Sequence, residues 1–553
     1  MSPSRNHTRS ALGATVVFLI LLGAFYLLVS FSGRSPVIRD IEPSAARPGE
    51  TVEILGEHFG ESRGRSKVRL AGSIPTSSAY RSWSDTRIVL ELPEDITSGL
   101  AYVETDRGRS NGVLFANVEH IPRGHAEDDS SARPIVESVN PEAARVGEIV
   151  TLRGNRFGTN RNDARVYFSW RSERGERGRL PVEDDGHGYA YWSGREIRVR
   201  VPDGATTGRL VVETARGESE AREIEIVRDV GEKRFTGGRT HAVAVSVTVD
   251  SVQLAENADG GTIYLWVPRI AQVPQQRNRQ TLTESAVPLF SRVAGVDLYR
   301  IRDPEPETSW SMRRSLLFER YGVETEIDVD AVTAEYGRSE AFLRHYTQPN
   351  ELLPVEAEPL MTAASEIYRT ARNPYVLARR TYEYVVENLE PLDRVGSVGA
   401  LEALETGMAN SHGYATLLAS LLRAQEIPAR LVGGYLVGSA AAGNERGEVS
   451  RHYWAEFYVD GLGWVPVDPA AADGIVPASF PLPEEPGAYY FGNVDDARFA
   501  FSYGLISVPR MHPEGRTDRI DTMYSVQSHH QEAAGDIRWY RVRWHDIEYL
   551  GEY

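Results

Sequence analysis

The chain has 553 residues, a formal net charge of −17 and 41% hydrophobic residues, too long for one core and of ordinary globular composition, so about three or four domains are expected. The diffuse negative field argues against nucleic acid as a partner. Cysteine is absent, which excludes disulfides, thiolate metal sites and thiol nucleophiles together. Lysine occurs only at Lys67 and Lys233, so crosslinking of the chain to itself through amines is not expected.

A short tail, 1–10, leads into a nearly unbroken apolar run over 11–32, with Val16 to Leu22 and Phe25 to Val29 at its centre. That length matches the about 20 residues needed to cross a bilayer, and it exceeds a typical signal-peptide core. The run predicts a single transmembrane helix with everything after it outside the cytoplasm; the alternative is a signal peptide cleaved at the small-x-small site Ser30-Phe31-Ser32. Arg5 and Arg9 before it are balanced by Arg34 and Arg39 after it, so charge alone does not set the orientation.

Two series of motifs follow. Pro36-Val37-Ile38, Ile41-Glu42-Pro43, Gly49-Glu50-Thr51-Val52 and Gly56 to Gly60 are echoed by Pro134-Ile135-Val136, Val139-Asn140-Pro141, Gly147 to Val150 and Gly154 to Gly158. The offset of about 98 residues suits tandem small domains rather than a solenoid. Trp83-Ser84 and Leu92-Pro93 recur as Trp192-Ser193 and Val201-Pro202 at an offset about 11 residues longer, which puts an insertion between Phe168 and Trp192. Short alternating strands broken by Gly and Pro predict β-sandwiches. The motif order over 35–118 and 133–228 resembles the IPT/TIG family of immunoglobulin-like domains, which implies spacers or ligand-binding modules. A polar linker, Arg123 to Arg133, joins them.

From 237 to 350 the pattern stays β, with Val243 to Val249 and Ile263 to Val267 as strands. A helical period then appears at Tyr375, Ala378, Tyr382, Val385, Val386 and Leu389, started by Asn373-Pro374. Tyr414, Leu417, Leu418, Leu421 and Leu422 form a second helix face behind Asn410-Ser411. Ile427-Pro428-Ala429-Arg430, Gly434-Tyr435, His452-Tyr453-Trp454-Ala455-Glu456 and Gly463-Trp464 to Asp468-Pro469 come next. A hydroxyl at a helix start, a His on one strand and an Asp on the next are the parts of a nucleophile, its base and the group that orients the base.

These strings, spread over roughly 230–510, resemble the transglutaminase-like family of papain-type fold. The resemblance implies that His452 is the general base and Asp468 its partner, and it puts Ser411 at the position of the family's catalytic cysteine. Tyr490 to Asp495 and Phe499 to Ser502 also look like the family's bacterial members. A thiol ionises near pH 8.5, whereas a serine hydroxyl resembles water at about 15.7, so no ground-state ion pair with the imidazole can form.

The expected fold is therefore multidomain: a transmembrane helix, two immunoglobulin-like sandwiches, a β-rich region over 237–350, an α+β transglutaminase-like domain over 351–510, and an extension over 511–553. The substitution favours a non-catalytic module that binds a peptide, a protein or a cell-wall component. The alternative is a serine-dependent amidase or protease-like hydrolase using Ser411, His452 and Asp468; a third reading is a structural protein in which the cleft is idle. Tyr435, Trp454 and Trp464 are expected to wall the cleft. No cofactor and no metal site is expected, since His529-His530 lacks ligand spacing. The segment after Val508, rich in Trp, Tyr and His, carries no assignable motif.

Overall fold

The computed structural model describes residues 35–70, 73–93, 96–117, 133–183, 187–256, 260–293, 295–306, 308–368, 371–394, 396–439 and 447–553. They form two compact units, one built on the chain up to Gly124 with Pro509–Gly515 and the other on His125–Val508 with Arg516–Tyr553. The first unit holds a two-sheet sandwich. One sheet runs Val37–Glu42, Thr51–Glu57, Arg87–Glu91, Tyr80–Trp83; the other runs Ala45–Ala46, Val113–Asn117, Gly99–Thr105, Lys67–Leu70. Alternation of side chains puts Val52, Ile54, Ile88, Leu90, Val103 and Phe115 in its core.

The same topology returns in the second unit, as Ile135–Asn140, Ile149–Asn155, Glu196–Arg200, Tyr189–Trp192 against Ala143–Ala144, Arg222–Ile226, Thr206–Thr214, Arg165–Arg171. The insertion expected between Phe168 and Trp192 is more than a loop. It adds a strand, Arg177–Pro181, paired antiparallel with Arg165–Arg171. The polar linker between the repeats falls mostly outside the described residues.

The repeated Gly-x-x-Phe-Gly motif has a steric cause. A Cβ on Gly56 would stand 1.9 Å from the Val37 carbonyl oxygen and 2.4 Å from Phe59 Cζ, and one on Gly154 would stand 1.9 Å from the Ile135 oxygen and 2.8 Å from Phe157 Cζ. Each Phe ring is thus seated over a bare backbone. Gly154→Ala is expected to cost about 1–3 kcal/mol of stability. Gly194→Ala, whose Cβ would meet nothing within 4 Å, should be near neutral; equal urea midpoints for the two variants would refute this account.

This second sandwich is not a free spacer. Lys233 Nζ donates to Asp203 Oδ1 at 2.5 Å and to the Trp464 carbonyl at 2.7 Å, with both charged side chains buried. A buried pair with an added carbonyl acceptor fixes position more than it adds stability.

The long strands Gly231–Leu254 and Trp310–Ile327 pair along most of their length and form one sheet with Gln276–Glu284 and Ile537–Trp544, while Glu548–Glu552 pairs with Gly231–Leu254. A second sheet joins Phe290–Val293, Val296–Arg302, Gly261–Pro268, Gln531–Gly535 and Arg516–Asp518. The chain's last strands therefore complete both sheets of this β platform. Its core of Val245, Val247, Leu265, Tyr299, Leu316 and Phe318 is continuous with Tyr435, Phe499 and Phe501 of the next layer.

That layer is an antiparallel sheet ordered Gly463–Val467, Val449–Val459, Ala429–Val437, Arg498–Tyr503. Against it lies the helix Ser411–Ala424, buried on every side from Ser411 to Arg423. The helices Glu358–Tyr368, Pro374–Asn388 and Ala400–Thr406 cover it. Asn373 caps Pro374–Asn388 by accepting the Tyr375 and Val376 N–H groups at 3.0 and 3.2 Å, with Pro374 at the first helical position.

The expected fold class needs one correction. The described molecule is mostly β-sheet with seven α-helices, and among the described residues no helix is long and apolar enough to cross a membrane. The longest, Pro374–Asn388, has 15 residues and an amphipathic sequence carrying Arg379, Arg380 and Glu383, short of the about 20 apolar residues a span requires. The apolar run over 11–32 lies outside the described residues.

Candidate functional site

Ser411 opens the central helix, with Asn410 as its cap accepting the Gly413 N–H at 3.3 Å. The side chain is thus set where the helix dipole and unpaired N–H groups favour negative charge. His452 lies on Val449–Val459 and Asp468 directly follows Gly463–Val467, the neighbouring strand. His452 Nε2 stands 2.9 Å from Asp468 Oδ2 and 3.0 Å from Oδ1, and both side chains are fully buried. The Tyr453 N–H donates to Ser411 Oγ at 3.4 Å, a long bond, so the hydroxyl lies beside the residue that follows His452. No hydrogen bond joins Ser411 to His452 among the described residues.

Asp468 has two further donors. Arg498 Nη1 donates to Oδ2 at 2.6 Å and the Ala471 N–H donates to Oδ1 at 3.0 Å. Arg498 also reaches Asp495 at 2.6 Å through Nη2 and is itself fully buried. Burial alone pushes the Asp468 carboxyl up, but the charges of His452 and Arg498 and these hydrogen bonds outweigh it and hold the carboxyl down at about 2. An ionised carboxylate only accepts, so Nε2 presents an N–H to it, and Nδ1 is the ring nitrogen not engaged by Asp468. The arrangement therefore orients a base; what it lacks is an acid strong enough to be ionised by it.

The segment after Val508 contributes to this region. Segment 519–527 covers Tyr453, the residue that follows His452. The Tyr453 hydroxyl donates to the Met523 carbonyl, Arg451 donates to the Thr522 carbonyl, and Ser397 Oγ donates to the Asp521 carbonyl at 2.9 Å. A small pocket of about 30 Å³ lies between this segment and the His412 and Tyr453 rings, and neither Ser411 nor His452 lines it. Ser411 is 6% exposed and His452 1%. His412 Nδ1 donates to the Val398 carbonyl at 2.7 Å and its ring meets Tyr453 edge-on; burial lowers its pKa.

Of the three aromatic residues expected in the cleft wall, Trp454 lies nearest the His452–Asp468 pair, stacked on the His452 ring at 6.4 Å and beneath the Arg498 guanidinium. Tyr435 stands in the core between this sheet and the β platform, stacked on Phe499 and donating to Asp546 Oδ1 at 3.2 Å. Trp464 joins Phe342, Tyr346 and Tyr458, under Arg430. Arg498 is the residue that motif reading passes over. Its signal is a lone arginine in the apolar strand Arg498–Tyr503, a position that demands a buried counter-charge. Among the described residues no group of His, Asp and Glu has the arrangement of a metal site.

Residues 361–469 match the transglutaminase-like superfamily and residues 36–117 match the IPT/TIG domain. The chain therefore carries a transglutaminase-like domain and an IPT/TIG domain. A cyclomaltodextrin glucanotransferase of Paenibacillus macerans is 27% identical over 121 residues, 22% of this chain. The chain matches only 16% of that relative's length. A solved structure of a candidate cysteine protease from Cytophaga hutchinsonii is similar at 14% identity and a TM-score of 0.36, covering 58% of this chain and 93% of its own. A candidate protease from Parabacteroides distasonis is similar at 12% identity and a TM-score of 0.16, covering 61% and 70%.

Proposed function

We propose that the transglutaminase-like domain is a non-catalytic binding module in which serine has replaced the nucleophilic cysteine. The observation that carries this reading is the state of Ser411. Its hydroxyl is engaged by the Tyr453 N–H at 3.4 Å rather than by the imidazole, and the residue is 6% exposed. Attack by serine requires proton transfer to a base in hydrogen-bond contact, and among the described residues no hydrogen bond joins Ser411 to His452. The ligand class that suits this reading is a peptide or protein.

A second reading, a Ser-His-Asp hydrolase opened by withdrawal of the cover, draws on the retained pair of His452 and Asp468, 2.9 Å apart. A fluorophosphonate probe separates the two. The non-catalytic reading expects no adduct at Ser411 by mass spectrometry, in wild type or in His452→Ala. Labelling of Ser411 that disappears in His452→Ala would establish the hydrolase instead.

A further inference from the structure

Away from the serine, the inserted strand Arg177–Pro181 and the β platform line an open cavity of about 580 Å³, within the size range of small-ligand sites. Its walls carry four arginines, Arg177, Arg179, Arg239 and Arg277, against two glutamates, Glu176 and Glu319, a local positive excess in a chain of net charge −17. Two of the four are already committed. Arg179 pairs with Glu218 at 2.6 Å, and Arg239 with Asp496 at 2.8 Å and Glu552 at 3.0 Å.

The other two are poised for a ligand. Arg177 has no ion-pair partner among the described residues. Arg277 lies over the Trp170 ring at 3.9 Å and donates through Nη2 to the Arg179 carbonyl at 2.9 Å, while its Nη1 is buried with no acceptor. Burial lowers the Arg277 pKa. The backbone makes room for this guanidinium, because a Cβ on Gly178 would stand 2.3 Å from Arg277 Nη2. A buried donor without an acceptor is costly, and an incoming anion would relieve that cost.

We propose that this cavity binds an acidic saccharide, its carboxylate held by Arg177 and Arg277 and its hydroxyls by the Asn278 amide, Glu319 and the Tyr321 hydroxyl. Glu319 already accepts from Tyr321 at 3.0 Å and keeps lone pairs for a sugar hydroxyl. A mixed wall of cations, carboxylates and an amide matches a chain bearing both carboxylates and hydroxyls. An acidic peptide laid along the edge strand Arg177–Pro181 is the competing occupant, and the triglutamate arm of the test separates it from the sugar. The site is separate from the serine site and does not depend on how Ser411 behaves.

The test is calorimetric titration of the full chain with trigalacturonate, its methyl ester and a triglutamate peptide. The acid sugar is expected to bind and the neutral ester is not. Arg177→Ala, at an exposed position without partners, and Gly178→Ala, which displaces the Arg277 fork, should each weaken binding about tenfold while circular dichroism stays unchanged. No binding of trigalacturonate, equal affinity for the ester, tighter binding of triglutamate, or unaltered affinity in both variants would each overturn the proposal.

Discussion

A cysteine placed at position 411 is expected to react with iodoacetamide at a rate that stays nearly flat well below pH 8.5, where an ordinary thiol loses its reactivity. The chain has no cysteine of its own, so all label reports this one position. Three features favour the thiolate there: the start of a 14-residue helix, an imidazole with Nδ1 free, and a carboxylate that stabilises the imidazolium. Serine cannot exploit them, because its hydroxyl ionises about 7 pH units higher, or roughly 10 kcal/mol. In Ser411→Cys with His452→Ala the inflection should return to about pH 8.5, and the rate at pH 6 should fall about a hundredfold. Identical pH profiles for the single and double variants would mean that the imidazole does not face position 411. The absolute rate carries separate information about the cover. Tyr453→Phe deletes the bond to the Met523 carbonyl and should raise the rate about fivefold without moving the inflection.

How much of this site is visible in the sequence depends on how local its determinants are. His452 and Asp468 lie 16 residues apart on adjacent strands, and short strings around them, such as Gly463-Trp464 and Asp468-Pro469, have the alternation and turn residues of a hairpin. The central helix shows itself through Leu417, Leu418, Leu421 and Leu422. Arg498 is harder, because its partner Asp468 is 30 residues away and nothing nearby in sequence announces the pairing. The cover is harder still. It is placed by strands whose partners are far upstream, as where Arg541 reaches Asp250 across 291 residues. No periodicity in 519–527 can encode what that segment lies over. The same limit hides the docking of the second sandwich, since Lys233 and the Trp464 carbonyl are 231 residues apart. Long-range pairings of this kind are set by whole sheets rather than by any local pattern.

Acid is expected to destabilise the second unit in a range set by two buried histidines. His241 holds Tyr549 Oη at 2.9 Å through Nδ1 and the Asp496 carbonyl at 3.1 Å through Nε2, and burial pushes its pKa down to about 4. His530 accepts the Ile520 N–H on Nδ1 at 3.1 Å, and burial pushes its pKa down to about 3. In the unfolded chain both titrate near 6.5. Below that pH the unfolded state takes up protons that the folded state refuses, so stability is full above about pH 6.5 and falls as pH drops, until about 4 for His241 and about 3 for His530. Shifts of this size correspond to about 3–5 kcal/mol for each ring. Urea midpoints measured from pH 7 to pH 4 should fall steeply in wild type and less steeply in His241→Gln or His530→Gln; an unchanged slope in both variants would rule out these rings as the cause. His530→Gln is the more telling of the two. A glutamine carbonyl can still accept the Ile520 N–H but cannot titrate, so the variant should keep the cover over Tyr453 in acid where the wild-type ring, once protonated at Nδ1, has lost the lone pair that holds it.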